Sequence, residues 1–209
     1  MFVRVTRLRV PTDKVDAAID NFTGVAVPAV KKLQGNTGAV LAVDRETGRL
    51  IAVTYWADEA ALKASESATT GLRGGVADAA GGSVEEVDRF EVAIMDRVGQ
   101  PHAGPYIRVV DLRGDPARVD DAVAFVRDRA IPTVRGLHGY LALICNVNRS
   151  SGRGVTTTVW ETLEDLRASE SATAPLRQEA ASRAGASGAT VEIYQSVYVD
   201  LALAVSPGN

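Results

Sequence analysis

Residues 2–10 alternate apolar and polar side chains and are rich in Val, Leu and Thr, the pattern of a half-buried strand that Pro11 ends. Thr12-Asp13 then offers a helix start. Val15, Ala18, Ile19 and Phe22 follow at helical spacing. Pro28 is expected to kink or interrupt that helix, and a short second piece over residues 30–33 reaches a stop at Gly35. Residues 38–44 and 50–56 predict two further strands, joined by a polar hairpin, Asp44-Arg-Glu-Thr-Gly-Arg49. Asp58 opens a long Ala-rich helix toward Ala80, ended by Gly81-Gly82, and residues 84–98 predict a fourth strand.

This pattern is written twice. Trp56-Ala-Asp-Glu-Ala-Ala-Leu-Lys-Ala-Ser-Glu-Ser-Ala-Thr-Thr-Gly-Leu-Arg73 returns as Trp160-Glu-Thr-Leu-Glu-Asp-Leu-Arg-Ala-Ser-Glu-Ser-Ala-Thr-Ala-Pro-Leu-Arg177, at a spacing of 104 residues. Arg4-Val5 and Arg108-Val109, Pro28 and Pro132, and Gly48-Arg49 and Gly152-Arg153 keep the same register, and roughly a third of positions are identical without a gap. The chain therefore divides into residues 1–98, a Pro- and Gly-rich linker over 99–105, and residues 106–209. Each copy reads β-α-β-β-α-β, the ferredoxin-like order, so the fold class is α+β. Two helices cover one face of such a sheet. The other face needs a cover, and a tethered second copy supplies one at high effective concentration. The expectation is an intramolecular α/β barrel, two ferredoxin-like units packed sheet to sheet about a pseudo-two-fold axis. Further homodimerisation stays open.

Composition narrows the partners. The chain has 23 Lys and Arg against 26 Asp and Glu, without a block of like charge, which argues against nucleic acid or an acidic membrane surface. Cys145 is the only cysteine, so neither an internal disulfide nor a cysteine-rich metal site forms, and its counterpart Leu41 marks it as a small buried apolar residue. No apolar run is long enough to span a bilayer. The start lacks the apolar core of a signal peptide. A cytoplasmic protein without metal or cofactor is expected.

Several features together carry a family resemblance. They are the Trp that closes the third strand (Trp56, Trp160), the Leu-x-Ala-Ser-Glu-Ser-Ala-Thr-x-x-Leu-Arg helix, and the Val-Asp-Arg-Phe-Glu-Val strand of the first copy. The chain resembles the antibiotic biosynthesis monooxygenase-like domain of the dimeric α/β-barrel superfamily, over both copies. The resemblance implies a cleft between sheet and helices in each copy and a small apolar or aromatic ligand. It also implies either cofactor-independent monooxygenation, haem degradation, or a non-catalytic ligand-binding or interaction module. Where the monooxygenase type carries an Asn four residues before the Trp, this chain has Ala52 and Thr156. Where the haem-degrading type carries an Asn near the end of the first strand, it has Thr6 and Val110, and neither second helix holds a His.

Trp56 and Trp160 read either as a rigid wall for a flat ligand or as core aromatics. Ser65 and Ser169, with Thr69 and Thr173, interrupt the apolar stripe of the second helix. They bond back to the preceding turn, cap a break, or line a pocket. Arg4 and Arg108 stand inside the first strand and need a carboxylate, such as Glu91 in the first copy, or an acidic ligand. Glu66 and Arg73, with Glu170 and Arg177, are seven residues apart, beyond the usual i,i+4 pair, and are expected to bridge to other elements. His138 and Tyr140 occur only in the second copy, in place of Gln34 and Asn36, so an asymmetric site would involve them. No catalytic residue is identifiable from these patterns.

Overall fold

A computed structural model describes residues 1–201. Both copies show the ferredoxin-like order. The first runs β1 (Phe2–Arg9), α1 (Val15–Asn21), α2 (Val27–Val30), β2 (Asn36–Asp44), β3 (Arg49–Trp56), α3 (Glu59–Ala64), α4 (Glu66–Ala79) and β4 (Ser83–Arg97). The second repeats it as β5 (Tyr106–Arg113), α5 (Val119–Phe125), α6 (Ile131–Arg135), β6 (Tyr140–Asn148), β7 (Arg153–Trp160), α7 (Leu163–Ala168), α8 (Glu170–Ala184) and β8 (Ala189–Leu201). Within the first copy the strands lie in the order β1-β3-β2, and within the second in the order β5-β7-β6. The class is mixed α+β.

Two compact units are distinguishable, and the long last strands divide between them. Among the described residues, one holds 1–89, 101–103 and 196–201; the other holds 90–100 and 104–195. In the first, β3 pairs antiparallel with β1 (Phe2 opposite Trp56, Arg9 opposite Arg49) and with β2 across a bulge between Asn36 and Gly38. The second repeats this register, with Tyr106 and Tyr140 both opposite Trp160. It gains the outer half of β4, paired with β6 over Glu91–Arg97. Each sheet is thus completed by residues written in the other copy, which no local pattern announces. Leu8, Val15, Phe22, Leu41, Leu50 and Val76 form the core under the first pair of helices; Val119, Val123, Val126, Leu143, Val147 and Leu166 do so in the second unit.

Two helical expectations are revised. Pro28 does not open a gap. A π-helical turn, Phe22–Ala26, lies between α1 and α2, and Pro28 falls in the first turn of α2, where a missing N–H costs least. Val126–Ala130 and Pro132 repeat this. The long Ala-rich helix is two helices, α3 and α4, hinged at Ser65, and α7 and α8 are hinged at Ser169. No helix among the described residues is long and apolar enough to cross a membrane.

The hairpin glycine is required by the backbone. Gly48 has φ +70°, and a Cβ there would collide with the Val10 carbonyl oxygen. Gly74 and Gly75, in α4, have ordinary helical backbone, and an added methyl group at either would enter open space. Gly48→Ala is therefore expected to destabilise the protein by at least about 2 kcal/mol. Gly74→Ala and Gly75→Ala should each stabilise it by about 0.5–1 kcal/mol. Urea unfolding of the three variants checks the opposite signs.

Candidate functional site

The hinge between the two helices creates the polar end of each cleft. Where α3 gives way to α4, the helical ladder leaves the Leu62 carbonyl available, and Arg4 reaches it from inside β1 (2.9 Å). The same guanidinium donates to Ser65 Oγ (3.0 Å) and Glu66 Oε2 (3.0 Å), with its carbon 5.6 Å from the centre of the Trp56 ring. Arg4 is 2% exposed. Burial lowers its pKa, opposed chiefly by the charge of Glu66. The second copy reproduces the arrangement. Arg108 donates to Leu166 O (2.7 Å), Ser169 Oγ (3.0 Å) and Thr173 Oγ1 (3.0 Å), and pairs with Glu170 (3.0 Å). Burial lowers the pKa of Arg108 as well.

Ser65 and Ser169 thus hold the hinge. Each donates its hydroxyl to the carbonyl three residues earlier, at 2.7 and 2.6 Å, while accepting from the arginine. The carboxylate of Arg4 is Glu66; Glu91 instead receives Arg149 (2.9 Å). Glu66 and Arg73 meet directly at 2.8 Å despite their separation, and Glu170 pairs with Arg177. A glutamate at the start of a helix and a long guanidinium two turns on can reach along the surface, which the i,i+4 rule underestimates. Glu66 also takes Arg89 (2.5 Å), whereas the position 104 residues beyond Arg89 is Ile193. Burial alone would raise the Glu66 carboxyl, but hydrogen bonds from Arg89 and Arg73 and the charge of Arg4 outweigh it and bring the pKa down to about 2.

Between sheet and helices lies an apolar cleft in each unit. In the first, a space of about 40 Å³ is lined by Arg4, Thr6, Leu8, Thr54, Thr69 and Arg73 among others. In the second, about 60 Å³ is lined by the counterparts Arg108, Val110, Leu112, Thr158, Thr173 and Arg177. Arg4 and Arg108 therefore reach the cleft wall. Trp56 and Trp160 stand behind it, 0% exposed, and their indole N–H groups donate to Thr54 Oγ1 (3.1 Å) and Thr158 Oγ1 (3.0 Å). That bond uses one of the two lone pairs of the threonine oxygen. The charged groups at this end of each cleft are the guanidinium groups of Arg4 and Arg73, or of Arg108 and Arg177. Thr54/Thr158 and Arg73/Arg177 were not singled out as ligand-facing by sequence reasoning, although each pair is identical in both copies; recurrence marks core and cleft alike.

His138 and Tyr140 lie apart from each other. The His138 side chain is 95% exposed and its Nδ1 faces Asp165 Oδ1 at 2.7 Å, which raises its pKa. Tyr140 is buried. It packs edge-on against Trp160 (5.8 Å between ring centres) and donates to Asp96 Oδ2 (2.6 Å), which also receives Arg135 Nε (3.0 Å). Burial and this bond raise the Tyr140 pKa. Neither residue is among those lining the two clefts. Cys145 is buried as expected, its thiol pushed up to about 11 by desolvation. Among the described residues no group of three or more His, Cys, Asp or Glu is arranged to hold a metal ion.

Residues 1–70 match the family model described as antibiotic biosynthesis monooxygenase. An uncharacterised protein of Mycobacterium tuberculosis strain H37Rv is 27% identical over 166 residues, covering 79% of this chain and 74% of its own length. Among solved structures, an anthrone oxidase-like protein superposes with a TM-score of 0.71 at 14% identity, over 96% of this chain and 93% of its own. A monooxygenase-like protein from Listeria innocua does so with a TM-score of 0.55 at 8% identity, over 93% of both. At these identities the solved structures establish likeness of fold.

The depressed carboxyl of Glu66 has a signed consequence. Its stabilisation is complete above its ordinary pKa of 4.5 and is lost as pH falls toward 2. Glu66→Gln should therefore lower Tm at pH 7, with the gap to wild type closing between pH 4.5 and 2. Glu170→Gln, facing two arginines and half exposed, should show a smaller gap. Thermal melts across that range check both.

Proposed function

We propose that this chain, whose residues 1–70 match the family's model and whose second half repeats them, is an antibiotic biosynthesis monooxygenase-like protein, and that its clefts bind a small, largely apolar, flat molecule carrying an acceptor or anionic oxygen. We read residues 1–98 and 106–209 as two domains of this family joined by the linker 99–105. The observation that carries the proposal is the cationic end of an apolar cleft, made in each unit by an arginine from the first strand and an arginine from the last long helix. A carbonyl or phenolate oxygen is favoured beside those guanidinium groups.

The reaction consistent with this site is cofactor-independent oxygenation. A ligand with an acidic C–H flanked by aromatic rings and a carbonyl ionises, and the cationic end holds the resulting oxyanion. The carbanion form passes electrons to dioxygen. One oxygen atom stays in the product as a new carbonyl and the other leaves as water. For anthrone the balance is anthrone plus O₂ giving anthraquinone plus H₂O.

A second reading, binding without catalysis, is favoured by a specific observation. The residues lining the two clefts include no His, Asp, Glu, Lys or Tyr, so the ligand's own acidity would have to start any reaction.

Oxygen uptake with anthrone, in buffer holding a chelator and no flavin, separates these readings. Turnover is expected in wild type, reduced at least tenfold in Arg177→Met. Saturable anthrone binding without oxygen uptake supports the second reading. The absence of binding overturns both.

A further inference from the structure

The last strand of the repeat is written twice, and the two versions guard their outer stretch differently. In the first copy, residues 85–89 of β4 read Glu-Glu-Val-Asp-Arg. Each of those charges is held within its own unit. Arg9 meets Glu85 (3.2 Å), Arg7 meets Glu86 (3.2 Å) and Asp88 (3.6 Å), and Arg89 meets Glu66 (2.5 Å). In the second copy the corresponding residues, 189–193 of β8, read Ala-Thr-Val-Glu-Ile, and Glu192 is the one charge among them.

This stretch is exposed on both of its faces. Ala189, Val191 and Ile193 reach solvent on one face and Thr190 on the other. Val191 and Ile193 are 42% and 40% exposed, two of the four large apolar side chains that are exposed among the described residues. On one side the strand is paired with β5, Val191 opposite Val110 and Ile193 opposite Arg108. A strand that shows solvent both faces, carries apolar side chains and lacks a row of charges is a template for a further strand.

The order of its residues selects what that strand is. We propose that residues 189–193 pair antiparallel with the same residues of a second chain, giving a dimer of this protein about a two-fold axis at Val191. In that register Val191 faces Val191 of the partner subunit, Ala189 faces Ile193 of the partner subunit, and Thr190 faces Glu192 of the partner subunit. Opposite residues share a face, so three apolar side chains from each chain form one stripe. Each glutamate meets a threonine hydroxyl, an acceptor against a donor. The first copy's strand fails the same operation. Pairing about Val87 would set Glu86 against an aspartate at position 88, twice, and like charges directly opposite are unfavourable. The interface therefore belongs to the second copy alone, and it is independent of what the clefts bind. A ladder of five residues is short, which places it among weak, transient interfaces.

Sedimentation equilibrium of the full chain tests this. Wild type is expected to dimerise with a Kd of roughly 1–100 µM. Thr190→Glu and Ile193→Arg, which write the first copy's residues into the second, should each weaken the dimer roughly tenfold or more, Thr190→Glu by facing Glu192 of the partner subunit. Val191→Cys puts a thiol on the axis and should give a disulfide-linked dimer under mild oxidation, whereas Val87→Cys should not. Cys145 is buried and serves both variants as an internal background. The cysteine readout stands even where a charged variant folds poorly. A wild type that stays monomeric at about 1 mM, a dimer unaffected by both charged substitutions, or equal cross-linking through positions 191 and 87 would overturn the proposal.

Discussion

A charge placed inside a strand, under a helix that has been broken to receive it, is the constraint on which each unit depends. Arg4 and Arg108 would be costly where they sit without partners. The hinge supplies those partners: a carbonyl no longer claimed by the helical ladder, a serine hydroxyl and a glutamate at the start of the next helix. The dependence is mutual. Without the guanidinium, the Leu62 and Leu166 carbonyls would keep only the serine hydroxyl as donor, and the Glu66 and Glu170 carboxylates would each lose a cation. The angle between α3 and α4, and between α7 and α8, is therefore tied to the sheet by hydrogen bonds as well as by packing. The cleft inherits its polar end from the same contacts.

Much of this was legible in the chain. The 104-residue self-match divided the protein, and the sequence pattern located the four strands of the first copy to within two residues at either end. Ser65 and Ser169 were readable as residues that turn back on a broken helix, because a hydroxyl on an apolar stripe has few other options. Other features were hidden for physical reasons. The pairing of Glu66 with Arg73 depends on side-chain length and on a helix start, which a periodicity rule omits. The π-helical turn before Pro28 is a local widening of the helix with no residue signature. The outer half of β4 pairs with β6, a contact set by topology rather than by any neighbouring residue. The placement of the tryptophans behind threonines, instead of on the cleft wall, follows from the bond between indole N–H and hydroxyl.

The electrostatics of the two units diverge through single positions. Arg89 adds a third cation around Glu66, and its counterpart is the apolar Ile193. Glu66 thus meets Arg4, Arg73 and Arg89, while Glu170 meets Arg108 and Arg177. Arg108 in turn reaches Thr173 as well as the serine of its hinge.

That inequality is available only to a covalently doubled protein. In an assembly of identical subunits one codon sets a position everywhere, so a leucine and a glycine could not coexist at it. Here the position opposite Leu8 and Val43 reads leucine, and the position opposite Leu112 and Val147 reads glycine. Fusion has released each half from having to be its twin, so that the two positions can diverge independently.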